Sequence, residues 1–162
     1  MPHIQYLQGD IFTSPAQVIV NPVNCQGVMG KGLALAFKQR YPDMFLTYQR
    51  ECKTGELCIG RPTLYTKSTP WILNFPTKDS WKANSKLEYL EQGLTYFVGN
   101  YKKDGITSIA FPKLGTKNGK LSWDAVGPLM AHYLGPLDID VSIYITEGDR
   151  EYQYNTSTNA AT

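Results

Sequence analysis

Apolar and polar positions along the chain switch repeatedly between a two-residue and a helical period. His3-Ile4-Gln5-Tyr6-Leu7-Gln8 alternates as a half-buried strand does, and Gly9-Asp10 stops it. Val18-Ile19-Val20 is an unbroken apolar run, the mark of a strand buried on both faces, and it ends at Asn21-Pro22. Residues 24–32 carry three glycines (Gly27, Gly30, Gly32) and little to bury, so they read as a loop. Residues 33–38 are strong helix formers that stop before Pro42, and a second helix is expected over 43–52 with Asp43 as its cap. Residues 63–65 and 71–75 read as strands, and 76–81 as a loop. Ser85-Lys86-Leu87-Glu88 has the form of a capping box, opening a helix to about Tyr101 with Leu87, Leu90, Leu94 and Phe97 on one face. A strand over 109–112, a second glycine loop over 114–119, a helix from the Ser122 cap to about Leu134 and a strand over 139–145 complete the pattern.

Strands and helices alternate, which implies an α/β three-layer sandwich, α/β/α, with a mixed, mostly parallel central sheet. Ligands of such sheets sit outside the carboxyl ends of the strands. Both glycine loops and the loop carrying Lys78 follow strands, so one rim is expected to hold all three. After Ile145 the period is lost. Residues 1–146 are read as the folded domain and 147–162 as a polar tail or the start of a linker, with about the last ten residues mobile.

Composition narrows the class. A chain of 162 residues, 42% hydrophobic and 19% charged, is one globular domain rather than a disordered segment. It is long enough to bury about 70% of its unfolded surface without a disulfide or metal staple. No apolar run nears the ~20 residues of a membrane span. The first residues lack a basic-then-apolar leader, so a cytoplasmic protein away from membranes is expected. Cys25, Cys52 and Cys58 are odd in number and irregular in spacing, and His3 and His132 stand apart. Neither set has the paired spacing of a metal site, and reduced thiols are the reading. Cys25 is read as a small filler, not a nucleophile.

Net charge is +2, too mild to name a partner, but its distribution is uneven. Arg61, Lys67, Lys78, Lys82 and Lys86 face only Asp79, and Lys113, Lys117 and Lys120 follow without an acid among them. Asp138, Asp140, Glu147, Asp149 and Glu151 gather toward the C-terminus. A positive surface region is implied.

Several side chains invite chemistry. Backbone N–H groups of the 27–32 loop, leading into a helix, have the layout of a diphosphate cradle, though an ordinary glycine turn has it too. The loop is neither a Walker A sequence nor a dinucleotide fingerprint. Asp10 can accept from an adenine amino group or cap its own turn; Asn21 and Asn24 can hold ribose hydroxyls or stabilise a turn. Trp81 beside Lys82 and Lys86 has the composition of a stacking platform for single-stranded nucleic acid, or of a tryptophan plugging its loop. Trp71 and Trp123 read as core.

Taken together, Gly9-Asp10-Ile11-Phe12, then Val20-Asn21-Pro22-Val23-Asn24-Cys25-Gln26-Gly27-Val28-Met29-Gly30-Lys31-Gly32, then Phe111-Pro112-Lys113-Leu114-Gly115 resemble a macrodomain over about residues 3–145. The resemblance implies an ADP-ribose-binding α/β/α fold. Asp10 and Ile11 would hold the adenine, and Gln26, Gly27, Val28, Met29, Gly30, Lys31 and Gly32 the diphosphate and distal ribose, with Met29 covering the ligand. Leu114, Gly115, Thr116, Lys117, Asn118 and Gly119 would close on the phosphates, with Asn21 and Asn24 near the distal ribose.

Asn74-Phe75-Pro76-Thr77-Lys78-Asp79-Ser80-Trp81, with Ser85, Leu87, Glu88 and Tyr89 after it, looks like the branch holding terminal ADP-ribose protein glycohydrolase and the DarG antitoxins, which reverse DNA ADP-ribosylation by the DarT toxin. Members carry a functional lysine where Lys78 stands, so the resemblance implies Lys78 and Asn24 as catalytic residues and Pro76 and Thr77 as ligand contacts. One position departs from the protein glycohydrolase: Gly119 stands where that enzyme has an aspartate, and DarG members also lack this acid. The function so implied is removal of ADP-ribose from a nucleobase, thymidine by expectation, of single-stranded DNA. Trp81 and Lys82 would bind the DNA, and a DarT-type toxin would be a partner, with no metal or redox cofactor. An O-acyl-ADP-ribose or protein-glutamate ester hydrolase and a non-catalytic ADP-ribose reader are the alternatives. DarG antitoxins carry a toxin-contacting segment after this domain, which Thr162 would precede or which the protein would lack.

Overall fold

A computed structural model describes residues 4–154; His3 of the first expected strand and residues 155–162 of the expected tail lie outside them. Six strands, β1 (Ile4–Gln8), β2 (Val18–Asn24), β3 (Thr63–Tyr65), β4 (Trp71–Lys78), β5 (Ser108–Pro112) and β6 (Asp140–Ile145), form one sheet in the order β1-β6-β5-β2-β4-β3. Every pairing is parallel except that of the edge strand β3 with β4. Four helices, α1 (Gly32–Arg40), α2 (Pro42–Thr54), α3 (Leu87–Asn100) and α4 (Trp123–Leu134), cover the two faces. The three-layer expectation is met.

Period-two geometry distributes the unbroken apolar runs between the layers. Val18 and Val20 of β2, with Ile109 and Phe111 of β5, pack under α3 and α4; Ile19 and Ala110 face the opposite core with Phe37 of α1 and Met44 and Tyr48 of α2. Each fully buried Val, Ile, Met or Phe among these contributes about 1.5–3 kcal/mol. Gly93 lets α3 close on the sheet, because a Cβ there would overlap the Phe75 ring at Cζ and lie 2.7 Å from its Cε1.

Three boundaries differ from expectation, each for a physical reason. β2 runs through Pro22 to Asn24, because its ladder to β5 covers only Val18 and Ile19, and a strand paired on one side tolerates proline. β4 likewise continues through Pro76, so Lys78 ends a strand instead of sitting in a loop. α2 starts on Pro42, with Tyr41 as cap instead of Asp43: proline's fixed φ suits the first helical position and its missing N–H costs nothing there.

Residues 147–154, read from sequence as the start of a tail, lie against the domain. The Tyr6 hydroxyl donates to the Tyr152 carbonyl, Trp123 Nε1 donates to the Arg150 carbonyl at 2.8 Å, and Gln153 Nε2 reaches the Ile4 carbonyl at 2.9 Å.

Candidate active site

Because β1, β2, β4, β5 and β6 are parallel, their carboxyl ends share one rim, and a cavity of about 630 Å³ opens there. Asp10 follows β1 and Lys78 ends β4, four strand spacings apart, a span of roughly 19 Å. Such a trough accommodates an elongated ligand.

The first glycine loop is held from below. Asn24 Oδ1 accepts from Gln26 N at 2.9 Å, from Val28 N at 3.4 Å and from the Tyr48 hydroxyl at 2.9 Å, while its Nδ2 donates to the Val28 carbonyl at 2.8 Å. Burial keeps the Tyr48 phenol neutral, and hence a donor, by pushing its pKa up. Lys31 caps α1 only through its backbone, so first-turn N–H groups of that helix remain open at the cavity. The second loop comes close to the first: a Cβ on Gly32, whose φ is +61°, would lie 3.0 Å from Asn118 Nδ2. Two sets of backbone donors thus face one another, an arrangement suited to a diphosphate.

Lys78 is 9% exposed and stands at the edge of this pair of loops. A register shift after Val23 sets it beside Asn24. Its Nζ donates to the carbonyls of Trp81 at 3.2 Å and Asn118 at 3.3 Å, and no carboxylate pairs with it among the described residues. Burial, reinforced by the Lys31 and Lys120 ammonium groups, lowers its pKa below the ordinary lysine value. With Cε and two carbonyl acceptors around Nζ, the fourth tetrahedral direction is left for the cavity that Lys78 lines.

At the opposite end, Asp10 Oδ1 caps Phe12 N at 2.9 Å, leaving Oδ2 for a ligand. The wall there is closed by Lys113, whose ammonium pairs with Asp149 at 2.6 Å; the same carboxylate oxygen accepts from Thr146 N at 2.8 Å.

The model of the Macro domain family matches residues 20–130 of this chain. The chain is a macro domain. The DNA ADP-ribosyl glycohydrolase of Mycobacterium tuberculosis is 42% identical over 90% of the chain and 43% of that protein. The chain therefore spans less than half the length of the curated relatives it matches. Among solved structures, the macrodomain of Mycobacterium tuberculosis DarG is 41% identical with a TM-score of 0.86, covering 91% of the chain and all of that one. Thermosipho africanus DarTG in complex with ADP-ribose is 42% identical with a TM-score of 0.85, covering 91% of the chain and 44% of that one.

The macro domain brings most of the sequence-derived site residues to the cavity. Asp10, Ile11, Asn24, Val28, Gly30, Lys31 and Gly32 line it from the β1 and β2 sides; Thr77, Lys78, Trp81 and residues 115–119 line the other. Others stand behind the wall. Asn21, wholly buried, does not reach a ligand: its Nδ2 donates to Asn74 Oδ1 at 3.1 Å and sits 3.8 Å from Met29 Sδ. Met29, expected over the ligand, is in the core for the same reason. Gly27 is buried against Gln49, Gln26 faces outward to accept from Ser80 Oγ at 3.1 Å, and Pro76 and Leu114 are buried. Lys82 is exposed outside the cavity, 5.1 Å from the centre of the Trp81 ring. Ser85 is not a cap: α3 is capped by Lys86, and Ser85 lies buried under the second loop with its N–H on the Gly119 carbonyl at 3.0 Å.

Sequence reasoning missed Lys113, Tyr144, Ile145 and Thr146 as wall residues. The strand-end rule applied to β6 is the signal that would have found the last three. No group of three or more His, Cys, Asp or Glu is placed to hold a metal among the described residues, and no helix there is long and apolar enough to cross a membrane.

Proposed function

We propose that this macro domain binds ADP-ribose along the rim and removes it from a nucleobase, thymine by expectation, of single-stranded DNA marked by a DarT-type toxin. The observation that carries the reading is Lys78: nine-tenths buried, held by two carbonyls and, among the described residues, free of any carboxylate at the edge of the glycine loops. The adenine lies toward Asp10 Oδ2 and Ile11. The diphosphate lies between the α1 N-terminus and residues 115–119, which sets the distal ribose beside Asn24 and Lys78.

In this seat Lys78 acts as a free amine. Both of its N–H bonds are directed at carbonyls, so its lone pair faces the anomeric carbon. The Nζ–C1″ bond forms as the bond from C1″ to the base nitrogen breaks; the electron pair stays on the base, which takes a proton from solvent. Nζ passes a proton to O4″ as the ribose ring opens, leaving a C1″=Nζ iminium; water then adds at C1″ and releases the lysine amine and ADP-ribose, whose ring recloses. Asn24 is a positioning residue, since its amide holds the loop that holds the ribose. A base is a poorer leaving group than the carboxylate of an ester, and the cationic surroundings of Lys78 favour departure of a base as an anion.

Parallel assays on an oligonucleotide carrying ADP-ribosyl-thymidine and on a peptide carrying ADP-ribosyl-glutamate test the substrate class. Release of ADP-ribose from the DNA is expected. Turnover of the peptide alone would assign the ester reading, and binding of ADP-ribose without turnover of either would assign the reader.

A further inference from the structure

The two carbonyls that hold Lys78 belong to segments on opposite sides of it, Trp81 on one and Asn118 on the other, so an acceptor reaching the lysine passes between them. Both flanks carry an exposed group. Trp81 lines the cavity yet is 46% exposed, and the Lys82 ammonium lies 5.1 Å over its ring, which leaves the opposite face for a ligand. On the other flank Lys120 has φ +64°, the one side-chain-bearing residue at positive φ among the described residues. That conformation strains any residue but glycine, and strain of this kind next to a reactive group points to a use for the side chain. The backbone around it is pinned, with Ser85 N on the Gly119 carbonyl at 3.0 Å and Leu121 N on the Gly115 carbonyl at 2.9 Å. Lys120 is exposed and outside the cavity wall, yet close enough to Lys78 for its ammonium to act on that lysine. Lys31 and Lys117 on the wall add positive charge, and Asp10, the wall's one carboxylate among the described residues, is four strands away.

We propose that Trp81 and Lys120 form an acceptor gate over Lys78 that admits one nucleotide of a single strand, its base stacked on Trp81 and its phosphate on Lys120. The gate rests on the DNA reading above and specifies how the strand is held. A flat aromatic face opposite an ammonium fits a base and its phosphate; an acidic peptide would use the charge and leave the ring idle.

The test compares the unchanged protein, Trp81→Ala and Lys120→Gly on two substrates: an ADP-ribosylated oligonucleotide and the ADP-ribosyl-thymidine nucleoside, which keeps the diphosphate of its ADP-ribose but lacks the phosphates of the strand. Lys120→Gly relieves the backbone, so its melting temperature is expected to rise or hold. Its KM for the oligonucleotide is expected to rise about tenfold, with a salt slope lower by about one, while any change in kcat from losing its charge near Lys78 is expected to be the same on both substrates. Its KM for the nucleoside is expected to be unchanged. Trp81→Ala is expected to raise KM about tenfold for both substrates, because the stacked base is present in each. Free ADP-ribose affinity should hold in Lys120→Gly, which alters no residue of the cavity wall. An unchanged oligonucleotide KM in either variant overturns the gate, as does an equal Lys120→Gly effect on the KM of nucleoside and oligonucleotide. If the unchanged protein turns over neither DNA substrate but cleaves an ADP-ribosyl ester, the DNA reading itself falls, which is a separate outcome.

Discussion

Ser85 and Gly119 share a single side-chain space. A Cβ on residue 119 would overlap Ser85 Oγ and lie 2.7 Å from Ser85 Cβ and 2.6 Å from the Gly115 carbonyl oxygen. The carboxylate that the protein-type glycohydrolase is expected to carry at this place therefore has no room here. In the proposed mechanism Lys78 therefore works without an acid partner, because Ser85 fills the place in the loop that would supply one.

Gly119→Asp is accordingly expected to damage the loop, not to add an acid. Overpacking of this kind costs about 1–3 kcal/mol. The melting temperature and ADP-ribose affinity by calorimetry should both fall. A variant that folds as well as the parent and cleaves esters faster would show that the space exists.

The state of Lys78 has a kinetic signature. Its pKa lies below the ordinary lysine value, and in the proposed mechanism the free amine is the attacking form. The rate at saturating substrate is expected to rise with pH through that lowered pKa and then level off. A rate that falls through the same range would mean that the ammonium does the work. Reduction with borohydride during turnover should trap a Lys78 adduct in the first case and none in the second.

Tyr48→Phe tests the brace under the first loop. The hydroxyl donates to Asn24 at its carbonyl, 2.8 Å, and at Oδ1, 2.9 Å, in a buried setting. Losing it is expected to cost about 1–2 kcal/mol of stability, read by denaturant unfolding, and to weaken ADP-ribose binding although Tyr48 does not line the cavity. Unchanged binding would mean that Asn24 holds the loop in shape without the Tyr48 hydroxyl.

Acid stability reports the opposite wall. At Asp149 burial disfavours the charge, but the Lys113 ammonium and the Thr146 N–H outweigh it, and the carboxyl titrates below its usual value. A depressed folded-state pKa gives stability that is present above the unfolded value, about 3.9, and is lost as pH falls through the folded one. Asp149→Asn should remove that part of the acid-side slope in melting temperature while lowering stability at neutral pH. An unaltered slope would place the acid sensitivity elsewhere.

Much of this architecture was legible in the chain, and what escaped did so for identifiable reasons. Strands such as β1 and β6 announce themselves by period, and the glycine loops by composition. The ends of β2 and β4 did not, because Pro22 and Pro76 look like stops unless one knows that a flanking ladder has already finished. Ser85 satisfies the local form of a capping box, yet a long-range bond to Gly119 holds it one residue outside the helix. Asn21 and Asn24 look alike in sequence. Only the sheet register sends one onto Asn74 in the core and the other under the loop. The Lys113–Asp149 pair joins residues 36 apart, which no local pattern signals.

The central claim is that Lys78 performs the chemistry while the loops do the binding. A gel assay on a single-stranded oligonucleotide carrying ADP-ribosyl-thymidine, with the unchanged protein and Lys78→Ala in parallel and ADP-ribose affinity measured on both, addresses it most directly. The expected result is return of the DNA to its unmodified mobility with the unchanged protein alone, a loss of at least ~100-fold in rate for Lys78→Ala, and ADP-ribose affinity retained in the variant. Equal turnover by the two proteins would contradict it.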